Sequence, residues 1–424
     1  MKKLLVLILA TVMAVTAFGL TACGGNNNGG GGKGDGKSGE GSLLVYDLSN
    51  PADVELTVEG NPSSIYKVQF GNTNLTEYSY SGGKLTISKD KLDTKAASPN
   101  KQIKVIVEED SDPIVYRLII ATKVITTCQA FQEISENLKG TYVLGADLDF
   151  EDFGNFNPIG NDAQKRGDKI GLAFTGSLIG AGHTISNLTA DADDMADDEV
   201  YTEHNVYVDA ENNYPTVRSC FGIFMLNSGT IEDICFKDCT VKNSDGTIMG
   251  LVVAVNEGEI KNVFVDGGKV QGGNIWLDYN CFNAGFAGIN GGSAKITNCV
   301  STVTQIKGGD GLTRAFCGKT WGEIKNCYAC KDGIELKELA TGSINNQGII
   351  GSVKDELSDA TGYGFTYLAT EKGEIKGSFD GCSAMDGESL KQASLYNDYD
   401  KNVWNISENS SDLPTLKVLY SVSK

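Results

Sequence analysis

The sequence predicts an all-β chain: a coiled β-solenoid over its larger part, preceded by a small antiparallel β-sandwich. Three observations carry this. The stretch Phe174 to Leu188, FTGSLIGAGHTISNL, reads as strand, turn and strand, with Leu178, Ile185 and Leu188 as core-facing positions. In its turn, Gly180 and Gly182 flank Ala181, where the backbone calls for conformations that Gly enters without strain. A shorter form recurs downstream as GTIED (229–233), GEIKN (258–262), AKITN (294–298), GEIKN (322–326) and GEIKG (373–377). The repeated Ile residues fall at 231, 260, 296, 324 and 375, spaced by 29, 36, 28 and 51. Short strands recurring at that period, with no helical pattern between, are what a stacked solenoid requires. The 52 Gly against 7 Pro agree, since Gly permits tight corners while Pro removes a ladder donor.

Taken in order, the chain opens on an export signal over 1–22. Lys2 and Lys3 precede a short apolar core, Leu4 to Val15, too short for an ordinary membrane span. It ends in Leu20-Thr21-Ala22-Cys23, which resembles a bacterial lipobox and implies acylation of Cys23 and anchoring on the outer face of the bacterial membrane. An ordinary secretory signal that happens to contain Cys, or a plain membrane anchor, is the competing reading. Residues 23–42 are almost pure Gly, Asn, Lys, Ser and Glu, a composition that cannot bury enough surface to order itself and so reads as a tether. From 43 to 122 come short alternating strands, Val54–Val58, Ile65–Phe70, Lys84–Ile87, Ile103–Val107 and Tyr116–Ile120, the pattern of a small sandwich. They resemble the immunoglobulin-like or cadherin-like modules of secreted bacterial proteins, without a Cys pair or Trp. Thr126 or Thr127 then offers an N-cap for a helix over Cys128 to Leu138, with Phe131, Ile134 and Leu138 on one face. Such a helix would cover the open end of the solenoid that fills 123–424.

The succession of helix, YVLGADLDF, FNPIG, FTGSLIGAGHTISNL and repeats carrying GEIKN resembles the GLUG-repeat right-handed parallel β-helix proteins of bacterial surfaces. The closing segment, with Val403-Trp404-Asn-Ile406 and Leu413-Pro-Thr-Leu416, fits the same resemblance, which runs from Val124 to Leu416 apart from Gln347 to Tyr363. It implies a stacked β-helix of the sort used in adhesins, surface proteins and flanks of secreted enzymes. It implies no fixed active site.

Charge excludes one class of partner. A formal net charge of −19 repels phosphate backbones and anionic lipid headgroups, so nucleic acid is not expected. Ten Cys follow Cys23. Those near the repeat Ile (235, 299, 327) share their region with Phe264 and Phe379, so an interior apolar ladder is expected ahead of a disulfide framework. Cys327-x-x-Cys330 has no second pair or His to complete a zinc site. His183 lies inside the GAGHT turn, where a corner hydrogen bond is expected, and only His204 accompanies it.

Two loops carry the binding candidates. Thr189 to Ser219 holds Asp191, Asp193, Asp194, Asp197 and Asp198, oxygen donors that could hold Ca²⁺ or simply form a solvated acidic loop. It also holds Tyr201, Tyr207 and Tyr214, while Gly272 to Asn280 holds Trp276 and Tyr279. Aromatic rings beside carboxylates and amides suit a sugar face, though rings also anchor ordinary loops. The expected function is a non-catalytic, lipid-anchored adhesin or glycan-binding body, with a glycan or a host or cell-surface protein as partner. The competing readings are a β-helical polysaccharide lyase or glycoside hydrolase, built on paired carboxylates or Ca²⁺ with a basic residue, and a purely structural surface spacer.

Overall fold

Strict alternation along the first strands decides how the chain packs. Val54 and Leu56 are buried while Glu55 and Thr57 are exposed, and Leu85 and Ile87 are buried beside exposed Lys84. The computed structural model describes residues 43–92, 96–161, 173–195, 220–244, 248–272, 282–307, 312–320, 322–332, 335–336, 348–352, 378–379, 381–407 and 412–422. Between Leu44 and Ala121 two sheets face each other. One has the order Leu44–Asp47, Ile114–Ala121, Ser98–Ile106, Lys67–Phe70, Thr73–Leu75; the other has Val54–Thr57, Lys84–Ile87, Tyr78–Ser81. Their inner faces meet in one core that includes Val54, Leu56, Val68, Leu85, Ile103, Val105 and Leu118.

This sandwich is not wholly antiparallel. Leu44–Asp47 runs parallel to Ile114–Ala121, with Leu44 opposite Leu118 and Asp47 opposite Ala121. The next strand, Val54–Thr57, lies in the opposite sheet, so no hairpin obliges the first strand to run antiparallel to its neighbour.

From Lys123 the chain coils into stacked parallel sheets. Each turn contributes to a long face, then a short face, then a bent face. The long face stacks Thr141–Leu144, Ser177–Ile179, Thr230–Lys237, Glu259–Asp266, Val300–Ser301, Cys327–Cys330 and Cys382–Met385. The repeat Ile residues form one inward column: Leu178 opposite Ile231, Ile231 opposite Ile260, Ile260 opposite Ile296 and Ile296 opposite Ile324. All are buried. Ile375 lies outside the described residues.

The residue after Gly-x-Ile-x closes each corner. Asp233, Asn262, Asn298 and Asn326 have φ of 57°, 52°, 54° and 52°, left-handed backbone that Asn and Asp tolerate better than other residues bearing a Cβ. Their side chains form a ladder, each amide nitrogen donating to the carboxyl or amide oxygen one rung back: Asn262 to Asp233 (2.8 Å), Asn298 to Asn262 (3.3 Å) and Asn326 to Asn298 (3.2 Å). A second ladder, Asn227, Asn256, Asn290 and Thr320, runs through the interior at 2.7 to 3.0 Å. It satisfies polar groups that would otherwise be costly there.

The helix at the start of the coil is shorter than expected. It spans Cys128–Gln132 and tightens to a 3-10 turn over Glu133–Glu136, as helix ends often do. Thr127 is its N-cap, accepting from the Ala130 amide at 3.2 Å. Phe131 packs on Phe150 and Phe156 at the first rung.

The GAGHT turn also differs from expectation. Ala181 itself has φ 51°, followed by Gly182 at 85°, while Gly180 is required by close approach: a Cβ there would sit 2.4 Å from the Asp233 carbonyl oxygen.

The columns of Cys and Phe resolve into two, because a shift of one residue along a strand reverses the side chain. Cys235, Phe264, Val300 and Tyr328 stack in register and meet Tyr396, Tyr399, Trp404 and Leu416 in a cluster distinct from the solenoid interior. Cys299 and Cys327 instead join the interior core. The C-terminal segment is therefore a strap laid along the outside of the long face. Tyr328 Oη donates to Leu395 O, Tyr399 Oη to Asn326 O, and Trp404 Nε1 to Asn262 Oδ1. Leu419 N then reaches Ala181 O, and Leu43 N reaches Leu419 O, so the end of the chain ties the first rung to the sandwich. Ile119, Ala121, Val143, Ile179 and Ala181 form a small second core at that junction.

Candidate functional site

The connection from short face to bent face leaves and re-enters along the same edge on successive rungs. Short-face strands Thr189–Asp191, Thr240–Lys242, Lys269–Gln271, Gln305–Lys307 and Glu335–Leu336 stack in parallel register. The strands that receive the chain, Cys220–Phe221, Ile248–Gly250, Phe282–Ala284 and Leu312–Thr320, stack in the same order. Tyr201, Tyr207 and Tyr214 belong to the first connection, and Trp276 and Tyr279 to the third. All five lie outside the described residues, as do Asp197 and Asp198. Their anchors are placed: on both faces the two connections spring from strands two steps apart, roughly 10 Å at ordinary strand spacing.

The described acidic residues at this edge are committed to a cation of the chain itself. Lys242 Nζ lies 2.8 Å from Asp191 Oδ2 and 3.2 Å from Asp193 Oδ2. Asp191 also caps the short turn Ala192–Asp194, accepting from the Asp193 amide at 3.0 Å. Burial acts to raise the Asp193 carboxyl, but hydrogen bonds from the Ser244 backbone and hydroxyl, with Lys242, hold it below the usual carboxylate range. Lys242 is raised by its hydrogen bonds to Asp191 and Asp193. The ammonium thus takes the place a cation between these two carboxylates would fill, and Asp194 is exposed. No group of three or more His, Cys, Asp or Glu among the described residues is arranged to hold a metal ion.

Sequence reasoning missed a second charged cluster, where sandwich and solenoid meet. Glu232, 2% exposed, accepts from Arg117 at 2.6 Å and from Lys261 at 2.7 Å. Burial would raise its pKa, but the two cations outweigh that and hold it low. Asp233, next in the chain, is pushed up to about 6 by burial and by the Glu232 charge. Lys261, one place after the repeat Ile260, is half-buried in this cluster. No short-range signal marks the cluster, because Arg117 and Glu232 are 115 residues apart. Among the described residues the buried carboxylates are Asp191, Glu232 and Asp233, and each is engaged by a cation or by an amide.

His183 is a corner residue. Its Nδ1 lies 2.9 Å from Asp147 Oδ1 and its Nε2 2.6 Å from Tyr420 O, so it pins the strap to the GAGHT turn. His204 and Cys23 lie outside the described residues. Cys327 and Cys330 sit on one strand at odd separation and point to opposite faces, which removes them as a CxxC pair. No helix among the described residues is long and apolar enough to cross a membrane.

No family model and no curated protein matches the chain. Among solved structures, it is similar to one described as a "putative immunoglobulin A1 protease" from Bacteroides ovatus, at 14% identity and a TM-score of 0.39, covering 70% of this chain and 92% of that one.

Proposed function

We propose that the chain is a lipid-anchored, non-catalytic surface protein of bacteria. In this reading it is an adhesin or glycan-binding body on a right-handed parallel β-helix of GLUG type, carried on a tether behind an acylated Cys23. The observation that supports it is the common edge. Two insertions, 189–219 and 272–280, bearing Tyr201, Tyr207, Tyr214, Trp276 and Tyr279, spring from short-face strands two steps apart and return to bent-face strands two steps apart. Rung residues are committed to stacking and ladder hydrogen bonds, so variation for recognition belongs in such insertions. Aromatic side chains and amides in two insertions with neighbouring anchors suit a saccharide or a glycosylated cell-surface protein, and the net charge of −19 does not suit nucleic acid. Screening the full-length protein in detergent against an array of glycans tests this. Retention of a saccharide without cleavage supports the reading; release of shortened or unsaturated products would replace it with the lyase or hydrolase alternative.

A further inference from the structure

We infer that Cys299 and Cys327 are a modification site: a dithiol inside the solenoid that closes to a reversible disulfide under oxidising conditions. Cys299 immediately precedes Val300–Ser301 and Cys327 opens the adjacent parallel strand, each one place before Val300 and Tyr328, which pair directly, and Tyr328 N donates to Cys299 O at 2.9 Å. Parallel neighbours lie roughly 4.8 Å apart, within the Cα separation a disulfide spans. Burial first, and then the neighbouring Cys327 side chain, raise the Cys299 thiol, as two adjacent sulfurs would. Both belong to the interior core, and both are free thiols. Each donates to a backbone carbonyl two residues earlier, Cys299 to Thr297 O at 3.2 Å and Cys327 to Lys325 O at 3.3 Å. Cys327 Sγ also lies 3.6 Å from Ile296 O, on the rung of Cys299. Cys382 continues the column on the next strand, opposite Cys327.

The oxidant is a small aliphatic disulfide, the class that exchanges with protein thiols. One cysteine thiolate attacks it, forming a mixed disulfide and expelling one small thiol. The second cysteine thiolate attacks the protein sulfur of that mixed disulfide and expels the other. One S–S bond is broken and one formed; the small disulfide takes up the two electrons and, as two thiols, the two protons. Burial holds the Cys299 thiol well above its ordinary range, so the closed stack reacts slowly. Exchange proceeds through local opening of the rungs, where thiolate forms readily. Once made, the bond staples two rungs of the long face.

Full-length protein is equilibrated with mixtures of oxidised and reduced glutathione, quenched with acid, denatured in excess alkylating agent and digested without reduction. The inference predicts a linked Cys299–Cys327 peptide pair lighter by two hydrogens, two fewer alkylatable thiols, and full recovery of both on adding dithiothreitol. Cys299→Ala should abolish the linked pair and Cys382→Ala should keep it. Because the wild-type mapping needs no variant, a variant that fails to fold leaves the test intact. Alkylation of both residues at the most oxidising poise would overturn the inference. So would a bond mapped instead to Cys327 with Cys382, or to Cys317.

Discussion

Asp233 occupies the first position of a corner ladder whose later positions are all Asn, and the difference has a cost that depends on pH. Its carboxyl is raised from 3.8 to about 6, so the folded state favours the protonated form. The stabilisation that protonation brings is complete below the ordinary carboxylate range and is lost as pH rises through about 6. Asp233→Asn keeps left-handed backbone and an acceptor for Asn262. It should therefore raise stability at pH 8 by about 1–3 kcal/mol, with little change at pH 4. Thermal melts at the two pH values check this. A variant less stable than wild type at pH 8 would mean that Lys261 and Arg117 gain more from the charge than its burial costs. Glu232 behaves oppositely, since its pairing with Arg117 and Lys261 is lost as pH falls.

Among the elements, the inward Ile column and the outer strap make separable demands. Ile260 is fully buried between Ile231 and Ile296, so Ile260→Asp should cost about 4 kcal/mol or more and unfold the coil. Lys325, exposed one place after Ile324, should accept Glu within about 0.5 kcal/mol. Equal melting temperatures for the two variants would contradict the register. Trp404, the strap's own anchor on the long face, is 1% exposed, and its truncation to Ala should cost roughly 3–5 kcal/mol of local stability. That loss should appear as faster amide exchange in 396–420 and along the outer strands it covers, while the interior columns stay protected. The repeat pattern was legible because Ile and Asn recur at fixed places within each rung. The strap was legible only as a closing segment, since nothing in Tyr399 or Trp404 says which face they cover. The parallel first strand of the sandwich was hidden because pairing direction is set by topology, not by alternation.

For the whole molecule, the proposed function requires that the chain order of export signal, tether, sandwich and solenoid join an anchor at Cys23 to recognition by the two insertions. Cys23→Ala should leave the fold unchanged and shed the protein from the membrane fraction, because the acyl group attaches through that sulfur. A variant still membrane-bound and normally processed would contradict the lipid anchor. The common edge of the insertions could not be read from sequence. The strands from which the two insertions depart come within two steps of each other only through the stacking of Thr189–Asp191, Thr240–Lys242 and Lys269–Gln271. Nor could the engagement of Asp191 and Asp193 by Lys242, for the same reason.

The most direct test of the account is saccharide binding by the full-length protein with Tyr201, Tyr207, Trp276 and Tyr279 all changed to Ala, compared with wild type by titration calorimetry. With stacking on aromatic rings supplying the affinity, the four changes should weaken binding by at least about a hundredfold, roughly 3 kcal/mol, while the melting curve stays nearly in place. Affinity that survives all four changes would contradict the assignment of recognition to this edge.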